Sequence, residues 1–145
     1  MRPLTYILAL VAFASVLIAA IPKFRQATRD FLRPDHREII AKIDGSVSAK
    51  GPHIFVFKIK TRDQFFLEIY RKSEDLQLMQ RIALEEPLDG RFQFQGHYTN
   101  LALADMEMDG SYEIVAPMYD RNSTPRLLVY KYNEALETFE KIAAE

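Results

Sequence analysis

The hydrophobic and polar positions along the chain follow two different patterns. The first is a run of eighteen uncharged residues from Leu4 to Ile21, LTYILALVAFASVLIAAI. The second is a series of short segments in which apolar and polar side chains alternate, such as HIFVFKIK and FFLEIYRK. Strict alternation over four to eight residues is typical of half-buried strands. The sequence therefore predicts an apolar helix followed by a mainly β domain.

The uncharged run is long enough to cross a bilayer. At ~1.5 Å per residue it would span roughly 27 Å, close to the ~30 Å hydrocarbon core, whereas a signal-peptide core has only about 7 to 15 residues. We therefore predict a transmembrane anchor over residues 1–21, in contact with the lipid bilayer through Leu4 to Ile21. A cleaved signal peptide is the competing interpretation, because Ala12, Ala14 and Ala20 offer small residues for cleavage.

A short basic segment follows the predicted anchor. Over residues 22–34, Phe24, Ala27, Phe31 and Leu32 recur at helical spacing, and Pro34 ends the pattern. We predict an amphipathic linker helix. Two roles stay open for it: an interfacial stalk on anionic lipid headgroups, or a solvated connection.

The remainder of the chain contains an internal repeat. Residues 53–82 align without a gap on residues 113–142 at an offset of sixty, with six identities that include Leu67 with Leu127 and Tyr70 with Tyr130. Turn residues separate the apolar runs, and no helical run connects them. We predict two antiparallel units of four strands, over residues 35–84 and 85–145. The predicted strands are EIIAKI, HIFVFKIK, FFLEIYRK and LMQRIAL in the first unit, and LALADM, YEIVAPMYD, RLLVYKYN and TFEKIA in the second.

The second unit resembles a known repeat. Its segment FQGHYTNLALADMEMDGSYEIVAP has a Phe and a Gly ahead of a strand, an acidic Asp-Gly loop, and a strand that ends in Ala-Pro. This arrangement is similar to the FG-GAP or VCBS repeat of integrin-type β-propellers, and the first unit matches only as a degenerate copy. The resemblance implies two propeller-like blades, packed as a partial propeller or as a sandwich. Because closed propellers have about four to eight blades, two blades would leave edges for a partner to cover.

The acidic loop of the second unit is a candidate metal site. Counting from Asp105, oxygen ligands stand at positions one, three, five, seven and nine: Asp105, Glu107, Asp109, Ser111 and Glu113. Hard oxygen ligands suit Ca²⁺, which takes six to eight of them. FG-GAP calcium loops usually carry Asp or Asn in place of Glu107, and commonly Asp in place of Glu113. The alternative is a tight acidic turn without metal, with Met106 and Met108 packed inward.

Composition argues against several functions. The formal charge of −1 and the pI near 6.3 give no basic field for phosphates, so we expect no nucleic-acid partner. The chain has no cysteine, and its three histidines, His36, His53 and His97, are separated in sequence. No nucleophile elbow or phosphate loop is present, so we expect that the protein is not an enzyme.

These observations lead to one main functional expectation and one alternative. We expect a single-pass membrane protein that docks its blades on other proteins of a larger envelope complex, or on identical chains that cover the open blade edges. The C-terminal domain is expected in the periplasm, because a weak calcium loop fills only where calcium is near millimolar. The alternative is a secreted or surface-exposed calcium-binding module of adhesin type.

Overall fold

The computed structural model describes residues 6–7 and 37–142. Within these ranges no helix is long and apolar enough to cross a membrane. The predicted fold class, which put a transmembrane helix before the blades, is therefore wrong for the described protein, whose elements from residue 37 onward are all strands. The predicted anchor, except for Tyr6 and Ile7, and the whole predicted linker helix lie outside the described residues. Membrane localisation stays a prediction.

The first sheet has the four strands that alternation predicts. They are β1 (Glu38–Ser46), β2 (His53–Lys60), β3 (Phe65–Lys72) and β4 (Leu76–Leu84), and all neighbours pair antiparallel in the order β1-β2-β3-β4. Each edge strand contains a register irregularity, between Ile39 and Ala41 on β1 and opposite the step from Ile69 to Tyr70 on β4. Such bulges twist an edge away from further pairing.

The second part of the chain is more elaborate than the prediction of one four-stranded unit. Its elements are β5 (Leu88–Asp89), β6 (Phe92–Phe94), β7 (His97–Thr99), β8 (Ala102–Ala104), β9 (Glu113–Tyr119), β10 (Pro125–Asn133) and β11 (Thr138–Ile142). The second sheet has the order β11-β10-β9, and both β5 and β8 pair with β9. Strands β6 and β7 form a separate hairpin.

That hairpin is missing from the sequence prediction, and the structure shows that it is closed by a two-residue turn. Gln95 and Gly96 both have positive φ, at 49° and 82°. Two central residues with positive φ are the requirement of the type I′ turn, which suits the twist of a two-residue hairpin. Phe92 and Phe94 then project from β6 onto Ala104, Val115 and Val129 of the second sheet.

The two sheets share one hydrophobic core. Alternate residues of each sheet form a single buried cluster, with Ile54, Val56 and Leu67 from the first sheet and Ile114 and Tyr130 from the second. The described residues 37–142 accordingly belong to one compact unit. Neither sheet buries its inner face without the other, which is the physical reason for a two-layer β fold.

The strands of the two sheets begin sixty residues apart, as the repeat predicts. The residues that pair across neighbouring strands, however, are shifted by one position between the two sheets. Strands β2 and β9 begin at 53 and 113, and β3 and β10 begin at 65 and 125. Ile54 pairs with Arg71, however, whereas Ile114 pairs with Tyr130. This difference of one residue reverses the faces of β10 relative to β3. Tyr130 therefore lies in the core, while Tyr70, its partner in the gapless alignment, faces outward.

A buried lysine joins the two sheets. Lys58 on β2 is fully buried, and its Nζ lies 2.7 Å from Oδ1 of Asp89 on β5. The same ammonium donates to the carbonyl oxygens of Pro117, at 2.7 Å, and Asn100, at 3.1 Å. Burial lowers the pKa of Lys58, and the hydrogen bond that Lys58 donates to Asp89 opposes that effect. Three acceptors match the three N–H groups of an ammonium, so the buried charge is fully paired.

Removal of this lysine is expected to be costly. Lys58→Met leaves the Asp89 carboxylate without its cation, and we expect a loss of about 3–5 kcal/mol in unfolding free energy. The double variant Lys58→Met with Asp89→Leu removes both charges and should recover a large part of that loss. Urea unfolding measures both, with the exposed Lys42→Met as control. Equal stability of the Lys58 and Lys42 variants would contradict the assignment.

A side-chain amide covers the outer edge of the second sheet. Gln80 on β4 accepts a hydrogen bond from the backbone N–H of Phe139 on β11, at 2.7 Å, and donates one to its carbonyl oxygen, at 3.1 Å. Both groups belong to an edge strand and would otherwise be open to another strand. Gln80 thus links the two sheets on the side opposite the short strand β8.

We expect Gln80→Leu to lower the unfolding free energy by about 1–3 kcal/mol, because two backbone groups lose their partner. The exposed Gln77 on the same strand provides the matched control, Gln77→Leu. Amide hydrogen exchange at Phe139 should accelerate in the first variant and stay constant in the second. Unchanged exchange at Phe139 in Gln80→Leu would show that the amide contributes nothing to the edge.

Candidate functional site

The acidic loop, residues 105–113, connects β8 to β9 and is organised by its own first residue. The carboxylate of Asp105 accepts hydrogen bonds from the backbone N–H groups of Asp109, at 3.1 Å, and Gly110, at 2.9 Å. Asp109 in turn accepts from the backbone N–H of Ser111, at 2.8 Å. Side-chain oxygens of Asp commonly close turns in this way. The loop is therefore closed by hydrogen bonds to its own backbone.

The loop carries its methionines on the outside. Met106 is 50% exposed and Met108 is 91% exposed, so the expectation that both pack inward is wrong, whereas the tight acidic turn without metal stays an alternative. Met108 has a φ of 57° and Gly110 a φ of 82°, which are left-handed conformations. Glycine adopts this region without strain, which explains why a glycine follows the acidic residues.

A lysine lies among the carboxylates of the loop. Lys131 on β10 donates a hydrogen bond from its ammonium group to the carboxylate of Glu107. The same Nζ lies 3.0 Å from Oδ2 of Asp109 and 3.7 Å from Oε1 of Glu113. Glu113 is fully buried at the start of β9, and its other oxygen, Oε2, accepts a hydrogen bond of 2.9 Å from the backbone of Met106. The ammonium of Lys131 is therefore the counter-ion of three predicted metal ligands.

These contacts perturb the charges on both sides. The hydrogen bond to Glu107, and after it the one to Asp109, raises the pKa of Lys131. The backbone N–H of Ser111, and after it Lys131, lowers the pKa of Asp109. A carboxylate with a lowered folded-state pKa stabilises the fold above its ordinary pKa, and this stabilisation is lost as the pH falls through the lowered value. The Asp109 carboxylate thus favours the folded state at neutral pH.

Of the five predicted ligands, Glu107, Asp109 and Glu113 meet at Lys131, while Asp105 and Ser111 serve the turn. Within the ranges that the structure describes, no group of three or more acidic or histidine side chains is placed to hold a metal ion. Calcium binding at this loop stays a prediction. The sequence analysis missed Lys131, which stands next to Tyr130, the partner of Ile114 in the β9–β10 pairing, and so comes close to Glu113.

A second candidate site is the aromatic face, the outer face of the first sheet formed by Phe55, Phe57, Phe66 and Tyr70. All four side chains are partly exposed. Phe57 and Tyr70 contact edge to face, with ring centroids 5.7 Å apart. Cations lie over two of the other rings, since Lys72 is 5.3 Å from the centroid of Phe55 and Arg81 is 4.0 Å from that of Phe66.

A buried carboxylate stands among these rings. Glu68 on β3 is only 5% exposed, and its Oε2 accepts hydrogen bonds from Arg37, at 2.7 Å, and from the hydroxyl of Tyr70, at 2.8 Å. Arg81 lies 3.6 Å from the other oxygen. The hydrogen bond to Glu68, with burial second, raises the pKa of Tyr70. The aromatic face is thus held in place by a charge network and carries surplus positive charge.

The structure also brings together three residues that the sequence separates. His53 lies with Nδ1 3.3 Å from the hydroxyl of Ser46 and with Nε2 3.5 Å from the carboxylate of Asp44. This order resembles a hydrolytic triad, but the Asp44 side chain is 58% exposed and none of the described cavities is lined by these residues. Triad chemistry needs a buried orienting carboxylate and an oxyanion site in a pocket.

Comparison with known proteins adds no relative. A scan against models of protein families, a search of curated proteins and a search of solved structures find no match to this chain. The resemblance to FG-GAP or VCBS repeats, and the division of the chain into residues 1–21, 22–34, 35–84 and 85–145, stay predictions from the residues alone.

Replacement of Lys131 tests the electrostatics of the acidic loop. Lys131→Met should lower the thermal midpoint in calcium-free buffer, because three carboxylates lose their shared cation. If the loop binds calcium, millimolar Ca²⁺ should restore the midpoint of this variant more than it raises that of the unaltered chain. Mg²⁺ and Lys141→Met, which removes a single surface ion pair with Glu85, are the controls. A calcium-independent midpoint in both proteins would reject the calcium prediction.

Proposed function

We propose that this protein is a non-enzymatic binding and assembly module that docks on partner proteins through the aromatic face. The observation that carries the proposal is the difference between the outer faces of the two sheets. The hairpin β6–β7 covers the outer face of the second sheet with Phe92 and Phe94. No described element covers the outer face of the first sheet, where Phe55, Phe57, Phe66 and Tyr70 remain partly exposed.

Such a face favours a protein partner. Aromatic residues and arginine are the types enriched at the centres of protein interfaces, because they bury large apolar area at low entropy cost. Lys72 and Arg81 lie over rings of this face, and Arg37 forms an ion pair with Glu68. The surplus of positive charge favours an acidic partner surface, either on another protein or on a second copy of the chain.

In our proposal the module belongs to a larger envelope complex, and its β domain lies on the periplasmic side of the membrane. That part depends on residues before 37, nearly all of them outside the described residues, and on the calcium requirement of the acidic loop. The alternative, a secreted or surface-exposed calcium-binding module of adhesin type, requires calcium for its function, whereas docking through the aromatic face does not. Lys131 competes with a metal ion for Glu107, Asp109 and Glu113, so we place the alternative second.

Site-specific photo-crosslinking in the source cells tests the proposal. A benzophenone amino acid at Phe57 or Phe66 should give a discrete protein adduct. The same substitution at Tyr98, an aromatic residue that is 77% exposed on the hairpin, is the matched control and should give none. An adduct of twice the chain mass would identify a second copy as the partner.

A charge reversal provides the second readout. If the partner surface is acidic, Lys72→Glu places like charges opposite each other and should reduce the adduct at Phe57 by roughly tenfold. A tenfold change corresponds to about 1.4 kcal/mol, which is within the range expected for one charge at the rim of an interface. Absence of adducts at Phe57 and Phe66 with intact expression, or equal adducts at all three positions, would contradict docking through this face.

A further inference from the structure

A small cleft lies on the opposite side of the domain from the aromatic face. It is bounded by the segment that leads into β6 and by the ends of β9 and β10 next to the 120–124 turn. Gly90 donates its backbone N–H to the carbonyl oxygen of Pro117, at 3.2 Å. A Cβ at this position would come within 2.8 Å of the backbone of Pro117 and Met118. Glycine therefore permits the close approach that forms one wall.

The interior of the cleft is apolar. Its lining includes Phe92, Pro117, Tyr119, Pro125 and Leu127, and its volume is about 170 Å³. Pockets for drug-sized molecules measure about 300 to 1,000 Å³, whereas a cavity of about 150 Å³ accommodates a single benzene ring. The cleft is thus the size of one apolar side chain rather than of a whole cofactor.

Two guanidinium groups belong to the same cleft. Arg91 is exposed and forms no ion pair or hydrogen bond with any described residue. In the part of the chain that the structure describes, the guanidinium of Arg126 forms an ion pair with Asp120 alone, at 3.4 Å. The Asp120 carboxylate already accepts hydrogen bonds from the backbone N–H groups of Asn122 and Thr124. The cleft therefore combines room for one apolar side chain with positive charge that the domain itself leaves largely unpaired.

We propose that this cleft binds the C-terminal residue of a partner protein, with its apolar side chain between Phe92 and Leu127 and its carboxylate at Arg91 and Arg126. A C-terminal residue carries both groups on a single Cα, which suits a cleft with room for one side chain. Arginine is the preferred partner of a carboxylate because its N–H groups can form two parallel hydrogen bonds.

This inference extends the proposed function, since both require a protein partner, but it concerns a different surface and a different chemistry. The aromatic face is tested in cells with the cognate partner, whereas the cleft is tested with defined peptides on the purified full-length chain. Failure of one test therefore leaves the result of the other unaffected.

Fluorescence anisotropy with labelled pentapeptides tests the cleft. We expect Ser-Gly-Ser-Gly-Leu with a free carboxylate to bind, and its amide to bind at least about tenfold more weakly, because the amide lacks the charge. Arg91→Gln and Arg126→Gln should each weaken the free acid by a similar factor. Lys50→Gln, an exposed lysine in the β1–β2 turn, should not change it.

Three results would overturn the proposal. The first is no measurable binding of free-acid peptides that end in Leu, Ile, Met or Phe. The second is equal binding of the acid and the amide. The third is equal or tighter binding of Ser-Leu-Asp-Gly amide, which would show that an internal acidic side chain, and not a chain end, is what the cleft takes.

Discussion

The fully buried ammonium of Lys58 is the interaction on which the arrangement of the domain depends. It extends from the inner face of the first sheet to groups of the second part of the chain, namely Asp89, Asn100 and Pro117. Apolar contacts between the sheets would tolerate small shifts, because dispersion and hydrophobic burial have little directionality. A charge without water requires its partners at fixed distances. Lys58 therefore fixes the position of β5 and of the loop before β8 relative to the first sheet.

Two lysines of this domain hold carboxylates of neighbouring segments by ion pairs. Lys58 forms an ion pair with an internal carboxylate between the sheets, and Lys131 is shared by three carboxylates at the acidic loop. In both places the ammonium is supplied by a long strand, and a loop or a short strand supplies part of the oxygens, with β9 supplying Pro117 and Glu113. The regular sheets thus hold the irregular segments through charge, where those segments contribute few apolar side chains of their own.

Sequence reasoning predicted the strands well and the pairing less well. Alternation identified β1 to β4 and β8 to β11, because period-two burial leaves a direct trace in the residues. The hairpin β6–β7 and the two-residue β5 were missed, since three residues are too few for periodicity. The gapless alignment of Tyr70 with Tyr130 could not reveal a one-residue difference in register, which depends on the turn before β10.

Lys131 was missed for the same reason, because its proximity to Glu113 follows only from that register. The five predicted ligands of the acidic loop were chosen by their spacing in the sequence. Spacing cannot predict that the Asp105 carboxylate accepts hydrogen bonds from the backbone of its own loop.

Gly90 connects two features that otherwise have no relation. The residue before it, Asp89, pairs with Lys58 in the interior, and the residue after it, Arg91, borders the cleft. A side chain at position 90 would displace the segment from the β9 backbone, and both neighbours would move with it. The depth of the cleft and the geometry of the interior ion pair are therefore coupled. A substitution at Gly90 that widens the cleft would also shift Asp89 relative to Lys58, so the two features can evolve only together.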